Sequence, residues 1–242
     1  MSFREVVHRN RDENSFTSRL FEYSLFRSFK ESKSSFEKFI NMLKESSNKN
    51  MNTIIGRFPD TNIKEWTENE ELMYIDGMLF VEVYDVYNFY MKNRNQYNQD
   101  CQLDKKLDKT ELDCVIICKD LSGKEHLIVF EVKCYTDLEE EEIGRQNEWL
   151  NELKKVGMFH KYHHFALISH DNLKNAKQIF NSMHFQKCKN DLYIVTWQDL
   201  WDNGFIPRER FFKQDMNLYK KISYEGEERT KRLLAETDLP DI

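Results

Sequence analysis

The sequence is poor in residues that form turns. Its 242 residues include only 7 glycines and 3 prolines, well below the usual frequency of either residue. Collagen-like and Pro/Gly-rich disordered chains are therefore excluded, and a sandwich or barrel of many short strands is disfavoured. Since 40% of the residues are apolar and 14% are aromatic, the chain can bury a large core, and its length predicts one generous domain or one domain with an insertion.

Long apolar runs and an excess of positive charge are also missing. The chain has no run of about 18 apolar residues, and its first ten residues contain no apolar segment typical of a secretory signal. We therefore expect neither a membrane span nor secretion. The net charge of −6 excludes a surface that is basic throughout, but it allows a local basic groove or charge supplied by a bound metal ion.

The five cysteines are an odd number, which argues against a disulfide framework. Cys114, Cys118 and Cys134 lie inside apolar segments, where a reduced thiol packs as a small hydrophobic group. With the missing secretory signal, this pattern predicts a reducing, cytoplasmic environment.

Apolar periodicity divides the chain into helices and strands. Residues 13–45 predict two short helices with a break at the serine-rich residues 32–35, and residues 137–156 predict a longer helix. Strand-forming residues occur in five segments: 78–83, 112–118, 126–135, 164–169 and 192–196.

The order of these segments predicts an α/β fold. A helical segment at residues 171–184 separates the last two strands, and such a crossover joins parallel neighbours. We predict a single domain over residues 1–206, with a loop or insertion near residues 46–111. Residues 207–242 are predicted to form a charged, partly helical C-terminal extension.

Two ionisable residues interrupt an otherwise apolar strand. Glu131 and Lys133 are two positions apart, so a strand would place both side chains on one face. Asp113 begins the preceding predicted strand. A hairpin loop with an odd number of residues around Gly123 would bring Asp113 to the same face, whereas a two-residue turn would place it on the opposite face.

Two carboxylates on one face would form a hard oxygen site suited to Mg²⁺ or Mn²⁺. Asp113 and Glu131 would supply these carboxylates, and the backbone carbonyl of Val132 could add a ligand. A bound cation polarises a phosphodiester and lowers the pKa of a bound water, and Lys133 would orient that water or stabilise the developing charge. The alternative is a structural cluster of ion pairs, although buried ion pairs seldom add stability over apolar residues.

Asp113, followed after 17 residues by Glu131-Val132-Lys133 in a hairpin that precedes a helix, resembles the PD-(D/E)XK nuclease superfamily. The match covers mainly residues 112–168, and Leu112 stands where the family has its name-giving proline. The resemblance implies a restriction-endonuclease-like αβββαβ core, with a central mixed sheet flanked by helices. It also implies Mg²⁺-dependent cleavage of phosphodiester bonds, with Asp113 and Glu131 as metal ligands and Lys133 serving the attacking water.

Two further residues match positions that the family often uses. Gln146 lies on the apolar stripe of the helix predicted at residues 137–156, where family members carry a glutamine near the scissile phosphate or the water. The alternative for Gln146 is a hydrogen bond to backbone at the edge of that stripe. Family members also take an acidic residue from the first helix, for which Glu13 is the candidate and Glu22 competes.

The expected function is therefore a divalent-metal-dependent nuclease. DNA is the expected substrate because the family mostly acts on DNA, while RNA stays open. A role in defence against foreign DNA or in repair, a homodimeric state and a protein partner also stay open. The competing hypotheses are a catalytically inactive nuclease-fold module that binds nucleic acid or a partner protein, and an acidic protein–protein adaptor.

Overall fold

The structure, a computed structural model, describes residues 17–55, 71–93, 110–134, 136–181 and 192–206. These residues form a five-stranded sheet in which the spatial order of the strands follows the chain. The strands are β1 (Leu72–Glu82), β2 (Glu111–Asp120), β3 (Glu125–Val132), β4 (Lys161–Ile168) and β5 (Leu192–Thr196).

Helices cover both faces of this sheet. The first helix, α1, has a π-helical stretch, Phe21–Phe26, that continues as an α-helix, Arg27–Glu31. The others are α2 (Lys33–Ile55), α3 (Val83–Asn93), α4 (Glu140–Lys155), α5 (Leu173–Phe180, after a 3₁₀ turn at His170–Asn172) and α6 (Trp197–Asp202).

The sheet is mixed, and the direction of pairing changes at β3. Strand β1 pairs with β2, and β2 with β3, in antiparallel orientation. Strand β3 pairs with β4, and β4 with β5, in parallel orientation. Parallel neighbours need a crossover, and α4 and α5 supply the two crossovers. The predicted α/β class, with a mixed sheet flanked by helices, is confirmed at this level.

Apolar residues on both faces of β2 and β3 build two cores. On one face, Ile116 and Phe130 pack against α1 and α2, and the ring of Phe21 lies 5.4 Å from that of Phe130. On the other face, Val115 and Val129 pack against α3 and α4. Burial on both sides explains why these strands are almost continuously apolar.

The N-terminal helices and the edge strand differ from the prediction in their limits. The predicted break is confirmed at Ser32, which has an extended backbone (φ −150°, ψ 118°), but α2 runs on to Ile55 because Met51 and Ile54 are buried in a cluster shared with α5. Strand β1 ends at Glu82, and α3 follows directly. Part of the loop or insertion predicted near residues 46–111 is therefore a sheet strand and a helix, while residues 207–242 lie outside the described residues.

None of the helices in the described part of the chain combines the length and the apolar character needed to cross a membrane. Even α2, with 23 residues, alternates buried and exposed positions along its length.

Gly77 allows β1 and α1 to approach each other closely. A Cβ atom at this position would overlap the ring of Phe26, and Phe26 is itself buried in the core. A side chain at position 77 therefore requires Phe26 to move.

We expect Gly77→Ala to lower the free energy of unfolding by about 1–3 kcal/mol, because overpacking forces a core ring from its place. Gly144→Ala is the matched control: it lies inside α4, and its new methyl group would meet no atom within 4 Å. This control should raise the free energy of unfolding by about 0.5–1 kcal/mol, since alanine favours helix over glycine. Urea denaturation measures both changes, and equal stability of Gly77→Ala and the parent would contradict the packing argument.

Candidate functional site

A three-residue loop closes the β2–β3 hairpin. The Asp120 amide donates a hydrogen bond to the Lys124 carbonyl at 3.0 Å, so residues 121–123 form the loop. Gly123 has a φ of 81°, which is the left-handed conformation that such a loop requires. The Asp120 side chain also accepts hydrogen bonds from the Ser122 hydroxyl and the Lys124 amide. The loop therefore has the odd length on which the face of Asp113 depends.

The register that follows brings Asp113 and Glu131 together. Cys114 pairs with Phe130, and continuing this register puts Asp113 opposite Glu131. Directly opposed residues of an antiparallel pair share a face. Asp113 Oδ2 accepts a hydrogen bond from the Val132 amide at 2.6 Å, which fixes the carboxylate beside the end of β3.

Glu131 is buried, and each oxygen of its carboxylate has a donor. Lys133 Nζ lies 2.6 Å from Oε1, and Gln146 Nε2 donates to Oε2 at 2.6 Å. The same Gln146 nitrogen also donates to the Glu111 carbonyl at 3.0 Å. The sequence allowed two interpretations of Gln146, a hydrogen bond to backbone or a contact within the site. In the structure, Gln146 makes both.

Lys133 contacts a second carboxylate, Glu142, at 2.8 Å from Nζ to Oε2. Its backbone is held on both sides, because its amide donates to the Leu167 carbonyl at 2.9 Å and its carbonyl accepts from Trp197 Nε1 at 3.1 Å. Only the side chain of Lys133 is therefore free to change position.

Glu142 is the site residue that the sequence analysis missed. It belongs to an acidic run at the start of α4, where carboxylates are favoured by the helix dipole alone. The signal that distinguishes it is its spacing: Glu142 lies four residues before Gln146, so both side chains lie on the same face of α4.

Burial and crowding of charge perturb the acids of the site. Burial, followed by the charge of Glu131, raises the pKa of Asp113 well above its usual range. Burial raises the pKa of Glu131 to about 7, although Lys133 opposes this rise. Burial alone would lower the pKa of Lys133, but Glu131 and Glu142 outweigh it and raise that pKa above its usual value.

The donor set fits a hard divalent cation. Asp113 and Glu131 are two carboxylates held together in spite of their repulsion, and Mg²⁺ is commonly bound through one or two carboxylates with waters completing its shell. Gln146 Oε1 is buried without a hydrogen-bond partner, so a further oxygen is available beside Glu131. Within the described ranges, no three or more His, Cys, Asp or Glu side chains are grouped to hold a metal ion.

The predicted residues therefore fall into two groups. Asp113, Glu131, Lys133 and Gln146 come together at one end of the sheet. Glu13 lies outside the described residues. Its competitor Glu22 is exposed on α1, the helix that packs on the sheet face opposite to α4.

No protein-family model, no curated protein and no solved structure matches this chain.

The pKa values predict how the metal-free protein responds to pH. An acid whose pKa is raised by folding stabilises the protein fully below its unfolded value and loses that stabilisation as pH rises through the folded value. For Glu131 the interval runs from 4.5 to about 7. In EDTA, we expect the free energy of unfolding to fall by about 1–3 kcal/mol across this interval.

Asp113→Asn should flatten that pH dependence, because it removes a second acid whose own pKa is raised by burial and by the charge of Glu131, while its amide oxygen can still accept the bond from Val132. Asp171→Asn, which neutralises an exposed carboxylate, should retain the parent's slope. Urea denaturation at several pH values measures all three proteins. Identical slopes for the parent and Asp113→Asn would contradict the electrostatic coupling.

Proposed function

We propose that this chain is a divalent-metal-dependent nuclease of the PD-(D/E)XK type, acting on phosphodiester bonds of DNA, with RNA as the open alternative. The observation that carries the proposal is the convergence of Asp113, Glu131 and Lys133 on one face, at the open end of the β2–β3 hairpin. A role in defence against foreign DNA or in repair, and a cytoplasmic location, belong to the same proposal. Cys114, Cys118 and Cys134 are buried and, within the described part of the chain, form no disulfide, which favours that location.

The element order supports a restriction-endonuclease-like core. With α3 added between β1 and β2, the chain runs through helix α2, strands β1, β2 and β3, helix α4 and strand β4. This is the αβββαβ order that the sequence resemblance implies. The acidic residues lie on the second and third of these strands, and Gln146 lies on the helix that follows.

Each residue of the site has a chemical task in phosphodiester hydrolysis. Asp113 and Glu131 would hold Mg²⁺ or Mn²⁺, which when bound neutralises phosphate charge and acidifies a water. Lys133 donates to the water or to the phosphate as negative charge develops there. Gln146 fixes the orientation of the Glu131 carboxylate through its 2.6 Å hydrogen bond, so the site is preorganised.

Lys174 and Lys177 are candidates for binding backbone phosphates. Both are exposed on α5, which follows the carboxyl end of β4. That strand end lies next to Lys133, since the Lys133 amide bonds to Leu167. Two exposed lysines on the helix that follows this strand end would offer local positive charge within an acidic chain, as nucleic-acid binding requires.

We expect Lys133→Met and Asp113→Asn each to lower the rate of cleavage by about 10²–10⁴-fold, because each removes a proton donor or a metal ligand from the reaction. Lys124→Met is the matched control, because this exposed lysine lies at the hairpin tip, away from the site. Gel assays with plasmid DNA, single-stranded DNA and RNA, in Mg²⁺ or Mn²⁺, measure the rates. Cleavage by both site variants at the parent's rate would refute the assignment.

The alternative is a nuclease-fold module that binds nucleic acid or a partner protein without cleaving. One observation favours it: Lys133 is paired with Glu131 and Glu142, so its ammonium already compensates the acidic groups without a metal. This hypothesis predicts nucleic-acid affinity that falls linearly with the logarithm of salt concentration, with no cleavage in any divalent ion. Calorimetric titration with Mg²⁺ and Mn²⁺ separates it from the nuclease.

A further inference from the structure

Lys133 is shared between a buried carboxylate and one at the rim of the site. Its Nζ lies 2.6 Å from Glu131 and 2.8 Å from Glu142. The Glu131 side chain is 3% exposed, that of Lys133 17% and that of Glu142 31%. The ammonium therefore lies between the buried acid, where a cation would bind, and a second, more exposed acid.

We propose that Glu142 is a positioning residue that keeps Lys133 in the site when Glu131 binds a divalent cation. This inference rests on the proposed function, because it assigns a role to a residue of the same site. A divalent cation and an ammonium repel each other, so both cannot remain at full contact with Glu131. Glu142 is the second carboxylate already bonded to Lys133, and it retains the ammonium beside the water or phosphate.

The surroundings of Lys133 explain why a second carboxylate is needed. Its backbone is fixed by Leu167 and Trp197, but its side chain is a flexible four-carbon chain ending in a strongly hydrated ammonium. Without an outer partner, a displaced ammonium would extend towards solvent. Gln146 still holds the other oxygen of Glu131, so that carboxylate keeps its orientation while Lys133 moves.

The geometry selects Glu142 among the acids of α4. Glu140, Glu141 and Glu142 all occupy the first turn. Glu142 shares the sheet-facing side of the helix with Gln146, whereas Glu141 is exposed. Glu141→Gln therefore removes the same charge one residue away, without touching Lys133, and serves as the matched control.

The test is a double-mutant cycle in which the measured quantity is the affinity for Mn²⁺ alone, by calorimetry. Glu142→Gln should weaken Mn²⁺ binding about 10-fold, within the coupling expected of contacting residues, because Lys133 then has no carboxylate other than Glu131. In a Lys133→Met background, the same substitution should change the affinity no more than Glu141→Gln does. Glu142→Asp should recover part of the loss.

A second measurement follows the reaction. At saturating Mn²⁺, Glu142→Gln should lower kcat about 10-fold with an unchanged KM for DNA, since it misplaces a group that acts in the transition state. Far-ultraviolet circular dichroism checks that each variant is folded, and Glu142→Ala replaces Glu142→Gln in the cycle if the latter is not.

The outcomes separate this inference from the nuclease proposal. If the parent binds Mn²⁺ and cleaves DNA, but Glu142→Gln has equal effects with and without Lys133, the role of Glu142 is refuted and the nuclease stands. The role of Glu142 is also refuted if Glu141→Gln weakens Mn²⁺ binding as much as Glu142→Gln does. If the parent neither binds Mn²⁺ nor cleaves nucleic acid, both proposals are refuted together.

Discussion

The register of the β2–β3 hairpin is the constraint on which the site depends. The three-residue loop with Gly123 in the left-handed region pairs Cys114 with Phe130, and so brings Asp113 to the face of Glu131. A slip of one residue would exchange the faces of β2 and turn Asp113 towards the apolar cluster beneath α1 and α2. A backbone conformation at one end of the sheet thus decides which charges meet at the other end.

The energetics of the acid pair favour a functional interpretation over a structural one. A cluster kept for stability would match each buried charge with a partner, because burying like charges together is unfavourable. Here Lys133 neutralises the charge of Glu131, whereas Asp113 forms no ion pair of its own with a cationic side chain of the described residues and is repelled by Glu131. The pKa values of both acids are raised. Acids held in such a state are typical of sites where a ligand or a reaction supplies the missing compensation.

The sequence predicted the strands and the helix whose apolar pattern reflects their packing in the sheet. It missed features that depend on contacts between segments far apart in the chain. The apolar runs of β2 and β3 and the stripe that carries Gln146 were visible in the sequence, while the length of the hairpin loop and the role of Gln146 stayed open. The extension of α2 was not visible, because Met51 gains its burial from contacts with α5. Glu142 was missed for another reason. In a sequence, an acid that is favoured by the helix dipole cannot be distinguished from an acid that binds Lys133.

The topology explains why residues far apart in sequence meet at the carboxyl end of β3. This strand pairs antiparallel with β2 and parallel with β4, so its end adjoins the start of one neighbour and the end of the other. The start of β2 brings Asp113, and a short connection brings the first turn of α4 with Glu142. The change from antiparallel to parallel pairing at β3 therefore gathers side chains from the start of β2, the end of β3 and the first turn of α4 at one edge of the sheet.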